Sequence, residues 1–250
     1  MSDPTPSSTA PKNEGDSPRM RHQGPNPGIL GIVLTVLFLA GLWPVTTFGG
    51  KPYFPGPWQS ASAIATFFQA RPHAVLLCLF LQFGSAVVIG IFTASIVNQL
   101  RFLGVRAAGV NIALFGGFAC AFTVMANCFV LWTMVRPGLA QHQALTVALY
   151  YLAYAFGGPG FSVTQGLLMA GVSIPTAFLR LLPRWITTLG IILGACGTLS
   201  SLNLLFPQAL FLIPLTRFPG FLWIIAAGFA LPRTITTARA NANQRLASAF

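Results

Sequence analysis

Acidic side chains are almost absent from this chain: of 250 residues only Asp3, Glu14 and Asp16 carry a carboxylate, and neither Asp nor Glu occurs from Ser17 to Phe250. Within that stretch a Ser-His-Asp or Ser-His-Glu triad and an intramembrane pair of catalytic aspartates are excluded. Proton or sodium coupling through a carboxylate at membrane depth is excluded with them. Histidine is scarce as well. His22, His73 and His142 each sit at or beyond the end of an apolar run; His73 and His142 could meet, but no third ligand for zinc is evident. The four cysteines, Cys78, Cys120, Cys128 and Cys196, lie inside apolar runs without CxxC or metal-ligand spacing. Thiols in such places pack as small hydrophobes. No cofactor or metal is expected, and no GxSxG elbow occurs. A Ser-His dyad or Ser-Lys pair stays open for catalysis, with Ser162 the first serine to test.

What the chain has instead is apolar length. With 54% hydrophobic and 7% charged residues and a mean hydropathy of +0.72, its solvent is mostly lipid. The net charge of +11 comes from 14 Lys and Arg that fall between apolar runs. They flank helices and form no basic face, so nucleic acid is not an expected partner. Runs at 28–48, 73–98, 107–134, 156–179, 185–206 and 208–231 are each long enough for about 30 Å of hydrocarbon. They predict an all-α, polytopic membrane protein of six transmembrane helices with short interfacial helices. Residues 1–27, rich in Pro, Ser, Thr and Asn, read as a disordered cytoplasmic tail, residues 28–232 as the transmembrane domain, and residues 233–250 as a short basic cytoplasmic tail. The first run is expected to stay a span, because its leader carries acids and prolines and no small-x-small cleavage site follows. Residues 60–70 read as a helix lying along the interface. Residues 144–155 are either a seventh span or an interfacial helix stopped by Gly157-Gly158-Pro159-Gly160.

Charge placement favours six spans with both termini inside. The inner segments then hold Lys12, Arg19, Arg21, Arg101, Arg106, Arg180, Arg184, Arg233, Arg239 and Arg245, and the outer ones hold Lys51, Arg71 and Arg136. Arg101, Arg106, Arg180, Arg184 and Arg233 are read as topology or lipid anchors, with Pro183 punctuating a tight inner turn. Trp43, Tyr53, Trp58, Trp132, Tyr150, Tyr151 and Tyr154 would lie in the outer aromatic belt and Trp185 in the inner one.

Helices in lipid associate through close contact at small residues and through a few polar groups. Small residues recur at a spacing of four in the second span (Ala86, Gly90, Ala94), the third (Ala113, Gly117, Ala121) and the fourth (Ser162, Gly166, Ala170), and Gly190 and Gly194 do so in the fifth. These stripes serve packing within the bundle, or equally a homodimer contact. Gln82, Asn98, Asn111, Asn127, Gln165 and Asn203 read as groups that hydrogen-bond between helices.

Two Gly/Pro-rich breaks bear on solute handling. Gly157-Gly158-Pro159-Gly160 opens the fourth span ahead of Ser162, Thr164 and Gln165, while Pro214 and Pro219 bracket Arg217 in the sixth. The simpler expectation makes both breaks loop-to-helix junctions, with Arg217 snorkelling to the outer interface. The alternative is a polar cavity of Gly157, Gly158, Gly160, Ser162, Thr164, Gln165 and Arg217, in which a half-helix amino terminus offers free backbone donors to an anion.

The run 153–189, with Gly157-Gly158-Pro159-Gly160-Phe161, Gln165-Gly166-Leu167-Leu168 and Leu182-Pro183-Arg184-Trp185 before Leu189-Gly190, resembles the DUF4386-like family of small bacterial multi-pass membrane proteins. The layout of residues 28–232 is similar too, although Trp185-Ile186-Thr187-Thr188 lengthens the junction. The resemblance implies a six-helix protein of the bacterial inner (plasma) membrane and brings no substrate, cofactor or catalytic residue. From the residues themselves the expected role is non-enzymatic: a membrane-embedded accessory that binds a protein partner or lipid. A channel or facilitator for a small neutral or anionic solute is the second expectation, and an intramembrane enzyme the third.

Overall fold

The structure, a computed structural model, describes residues 23–234; the expectations placed on residues 1–22 and 235–250, including Lys12, Arg19, Arg21, Arg239 and Arg245, lie outside them. The described residues are helical, and six helices are long and apolar enough to cross a membrane. This is a multi-pass membrane protein.

Helix α1 (Pro27–Leu42) starts where Asn26 accepts the Gly28 N–H on its side chain, and Pro27 occupies the first position, where a missing N–H costs nothing. It runs on through a 3₁₀ turn at Trp43–Val45. A loop leads to the short α2 (Ala61–Ala70), capped by Ser60. Arg71 alone separates α2 from α3 (Pro72–Phe102), whose first residue is again proline. Helix α4 (Ala108–Met134) follows a turn in which Gly104 takes a φ of 81°.

The next span differs from expectation. Helix α5 (Gln143–Ala155) passes through a π turn at Phe156–Gly160 directly into α6 (Phe161–Phe178), making one 36-residue span. Residues 144–155 are therefore neither a seventh span nor a separate surface helix, and the glycine-rich run is not a helix start. A proline inside an α-helix clashes with the carbonyl four residues back; opening the ring by one residue admits Pro159 without ending the helix. At 1.5 Å per residue the span is about 54 Å long, well beyond the roughly 30 Å hydrocarbon core, so part of it extends past the core, and α5 packs beside α2. Helix α7 (Arg184–Leu199) and α8 (Leu212–Ala230) are joined by 3₁₀ turns at Ser200–Leu204 and Pro207–Phe211. The sixth span is not interrupted: Pro214 falls in the first turn of α8, and Pro219 is carried inside it.

The spans pack in a closed ring, α1 on α3, α3 on α4, α4 on α5–α6, α6 on α7, α7 on α8, and α8 back on α1, with α6 also touching α8. Glycine sets the ring's tightness. A Cβ on Gly116 would fall 2.6 Å from the Leu168 backbone nitrogen, one on Gly171 at 2.6 Å from the Gly109 carbonyl, and one on Gly166 at 3.0 Å from the Gly194 carbonyl. The fourth-span and fifth-span stripes thus face each other, with Ala170 and Gly194 in contact and Gly190 against Ser173. Gly117 abuts Thr93 of α3, flanked by buried Ala113 and Ala121. The second-span stripe behaves differently: Ala86 is buried, but Ala94 is exposed, and a Cβ on Gly90 would meet only Phe118 at an ordinary 3.9 Å. At 3.6 residues per turn a spacing of four drifts around the helix, and here it drifts off the interface.

Connectivity sorts the cations. Arg101, Arg106, Arg180, Arg184 and Arg233 lie at the end of the bundle where α1 starts; Lys51, Arg71 and Arg136 lie at the other. At the first end Arg101 of α3 donates to Asn111 of α4 (3.2 Å), an exposed hydrogen bond between helices as expected, and Arg233 donates to the Gly24 carbonyl (3.0 Å). Arg180 takes a left-handed φ of 52°, the helix-ending conformation glycine usually supplies. The second end is capped by α2 and the 46–60 loop. Arg71 donates to the carbonyls of Pro44, Gly49, Gly50 and Lys51, at 2.6 to 3.1 Å. Tyr150, expected in the aromatic belt, is instead 2% exposed and donates to the Pro55 carbonyl at 2.7 Å.

Gly116→Ala should destabilise the protein by about 1–3 kcal/mol, the cost of overpacking against backbone that cannot rotate away. Gly90→Ala should be neutral or gain a few tenths from helix propensity. Thermal melts in detergent compare the two, and equal effects would contradict the assignment of interfaces. Arg71→Gln should make the 46–60 loop cleavable by added protease at a rate at least tenfold above the unaltered chain, with the bundle intact.

Candidate functional site

Beneath the capped end the ring encloses a partly open cavity of about 280 Å³. Its walls are mostly apolar: Phe38 and Leu42 of α1, Val124 and Leu131 of α4, Phe161 of α6 and Ile213 of α8. Gln82 of α3, Asn127 of α4 and Arg217 of α8 also line it, as do the hydroxyl-bearing Thr46, Tyr150 and Tyr154.

Arg217 is where the local structure and the composition of the chain meet. Its Cα lies 13 residues before Ala230, about 20 Å along the helix and some two-thirds of the way across a hydrocarbon core. Helical side chains lean toward the helix amino terminus, which here brings the guanidinium level with the π turn. That turn prepares an acceptor. In an α-helix the Phe161 N–H would bond the Gly157 carbonyl, but it points to the carbonyls of Phe156 and Gly158. The Gly157 oxygen accepts from Arg217 Nη2. The guanidinium also lies over two aromatic rings, 4.7 Å from the Phe161 centroid and 5.7 Å from that of Phe38. Its Nε is sealed from solvent and has no hydrogen-bond partner among the described residues. Arg217 is thus held inside the bundle against a carbonyl and two rings and does not reach out to the headgroups. The π turn likewise offers a carbonyl and not free N–H donors, so the half-helix anion site expected of the glycine run does not form there.

Magnitudes decide how settled this cation is. Arginine at the centre of a span costs about 2.5–3.5 kcal/mol on the insertion scale, an upper bound for Arg217 nearer the capped end, and a cation–π contact returns about 0.5–2. Two such contacts and one carbonyl make Arg217 tolerable but leave its charge unbalanced, because no carboxylate side chain exists from residue 17 onward to pair with it.

The two amides complete the polar wall. Gln82 is 5% exposed and Asn127 half-buried, and neither side chain hydrogen-bonds within the described residues. Both were expected to bond between helices; both face the cavity instead. A Cβ on Gly157 would lie 3.1 Å from the Asn127 amide, so glycine lets this amide sit beside the arginine's acceptor. Tyr154 also lines the cavity, with its hydroxyl engaged by Asn203.

The residues that the sequence grouped as one cavity divide into two sets. Gly157, Gly158 and Arg217 line it. Gly160, Ser162, Thr164 and Gln165 do not. Thr164 bonds back to the Gly160 carbonyl at 2.7 Å. Ser162 and Gln165 are buried on the α6 face toward α7 and α8, where Ser162 Oγ, both Gln165 amide atoms and Ser173 Oγ lack partners among the described residues. Gly220 is the residue opposite Gln165. Phe38 and Phe161 escaped sequence reasoning as cavity residues, since an aromatic in an apolar run carries no mark of its own. The signal for them was indirect: an arginine in a span of a chain lacking acids needs π faces and carbonyls.

Replacing Arg217 should reveal a site built at the expense of stability. Arg217→Met removes an unbalanced charge and fills the same space, so the variant should melt within about 1 kcal/mol of the unaltered protein, or above it. A loss of more than about 2 kcal/mol would show the arginine to be a structural strut.

No family model matches the chain, and no curated protein or solved structure matches it, so its site is read from its own geometry.

Proposed function

We propose that this chain is a non-enzymatic, membrane-embedded binding protein whose ligand occupies the cavity under α2 and the 46–60 loop. One observation carries the reading: an apolar cavity is lined by a guanidinium with a single hydrogen bond, to the Gly157 carbonyl, and by the amides of Gln82 and Asn127, which have no partner among the described residues. Unsatisfied polar groups at membrane depth are costly and mark binding or transport sites by default. No nucleophile with an adjacent base lines the cavity among the described residues: Cys78 lies in its wall without a histidine or lysine beside it. The reading therefore concerns binding and not turnover. The end bearing five arginines faces the cytoplasm, by the positive-inside rule. A bacterial inner membrane is the setting that the DUF4386-like resemblance suggests. The accessory role expected from the sequence is retained in a sharper form, with a small ligand in the cavity and lipid around the ring.

A facilitator is the second reading, favoured by the unpartnered groups of Ser162, Gln165 and Ser173. Eleven residues separate the first from the last, a track of about 16 Å running from the cavity's level toward the arginine-rich end. Glycines 190, 197 and 220 close it, so passage would require α7 or α8 to move away from α6.

Purification into nanodiscs followed by native mass spectrometry tests the binding reading. A stoichiometric small adduct should stay with the protein and be lost from Leu42→Trp, which fills the cavity. A stoichiometric protein partner with no small adduct would replace this reading with a purely protein-binding role. In proteoliposomes, Gln165→Leu should leave binding unchanged; loss of solute flux in that variant would establish the facilitator.

A further inference from the structure

We infer that the ligand is a monoanionic amphiphile, one anionic head on an apolar tail, with the head on Arg217 and the tail along the α1 and α8 wall. The inference rests on the reading of the cavity as a ligand site.

The charge comes first. Among the described residues Arg217 is the only charged one in the cavity wall, and no carboxylate side chain lies among them to balance it. A monoanion brings the site to neutrality, whereas a dianion would leave one uncompensated charge among phenylalanines, and a cation would be repelled. Asn127, beside Gly157, and Gln82 elsewhere in the same wall add neutral donors to the cavity that an oxyanion can use with the guanidinium.

The rest of the wall excludes small hydrophilic anions. Leu42, Val45, Leu131, Ile213 and Pro214 offer no hydrogen bond. An inorganic anion would leave these residues against empty space or water, while a tail covers them. Volume sets the size. About 280 Å³ lies at the small end of ligand pockets, which run from about 300 to 1,000 Å³, and suits a head with a short chain. Anything longer must pass its tail out through the cavity's open side. Two sources supply this chemistry, a free short-chain amphiphile or an anionic lipid whose head enters from the bilayer.

The test uses the full chain in phosphatidylcholine nanodiscs, with binding to empty nanodiscs subtracted. Radiolabelled octanoate should bind saturably, at least tenfold more tightly than octanol, which has the same tail without the charge. It should also bind at least tenfold more tightly than acetate, which has the charge without the tail. Arg217→Gln should weaken octanoate at least tenfold and leave octanol unchanged. Adding phosphatidylglycerol to the nanodiscs separates the sources: displacement of octanoate assigns the site to a lipid head, and retention assigns it to a free amphiphile. Equal affinity for octanol and octanoate would overturn the anionic head, and equal affinity for acetate and octanoate would overturn the tail, in both cases with the cavity still a ligand site. Absence of saturable binding for octanoate and octanol alike would remove the ligand site itself. The comparison among the three probes is made on the unaltered chain and needs no variant to fold.

Discussion

The hydrogen bond from Arg217 to the Gly157 carbonyl ties together the features that set this bundle apart from a plain ring of apolar helices. It exists because Pro159 sits inside a helix, because the resulting π turn redirects the Phe161 N–H, and because three glycines leave room around the turn. Through it the longest span is joined to the last, across the cavity that both help to wall. The π turn frees the Gly157 oxygen from the Phe161 N–H, and that oxygen is the one hydrogen-bond acceptor Arg217 has beside its two aromatic faces.

Around that bond the protein divides its tasks by position. Toward the arginine-rich end the ring is closed by glycine against backbone, as where Gly228 would bring a Cβ within 2.5 Å of the Gly28 nitrogen, and by Trp223, which is fully buried and donates to the Ile186 carbonyl at 2.9 Å. Gln99 seals the same end by donating to the Leu231 and Pro232 carbonyls. Toward the capped end the spans leave space between them, and polar side chains face that space unpaired. In lipid, where apolar surface gives helices no reason to associate, tight packing at one end lets the other stay open.

Much of this was legible in the sequence, for physical reasons. Six spans follow from apolar length, and the two-ended distribution of Lys and Arg follows from the loops between them. Close packing at the fourth and fifth spans was visible as small residues at a spacing of four, but not that these two stripes face each other, which only the approach of Gly166 to Gly194 shows. The same spacing misled for Gly90 and Ala94: a small residue permits close approach without requiring it, and only the neighbouring helix decides. Gly157-Gly158-Pro159-Gly160 reads locally as a helix breaker, yet a proline flanked by glycines can be absorbed by a π turn when the helices on either side are held by neighbours. Arg217 was singled out, but the direction of its side chain was not readable, since lipid headgroups and a cavity both satisfy a long cationic chain. Gln82 and Asn127 were taken for glue between helices, the commonest use of a buried amide, and only the geometry turns them toward the cavity.

The central claim is that an unbalanced cation inside the bundle holds a ligand, and an experimental map of the protein in phosphatidylcholine nanodiscs, purified without added amphiphile beyond the bilayer, tests it most directly. Elongated non-protein density ending within hydrogen-bonding distance of Arg217, flanked by Phe38 and Phe161 and reached by Gln82 or Asn127, is the expected result. A collapsed cavity with Arg217 turned out to the headgroups would contradict it.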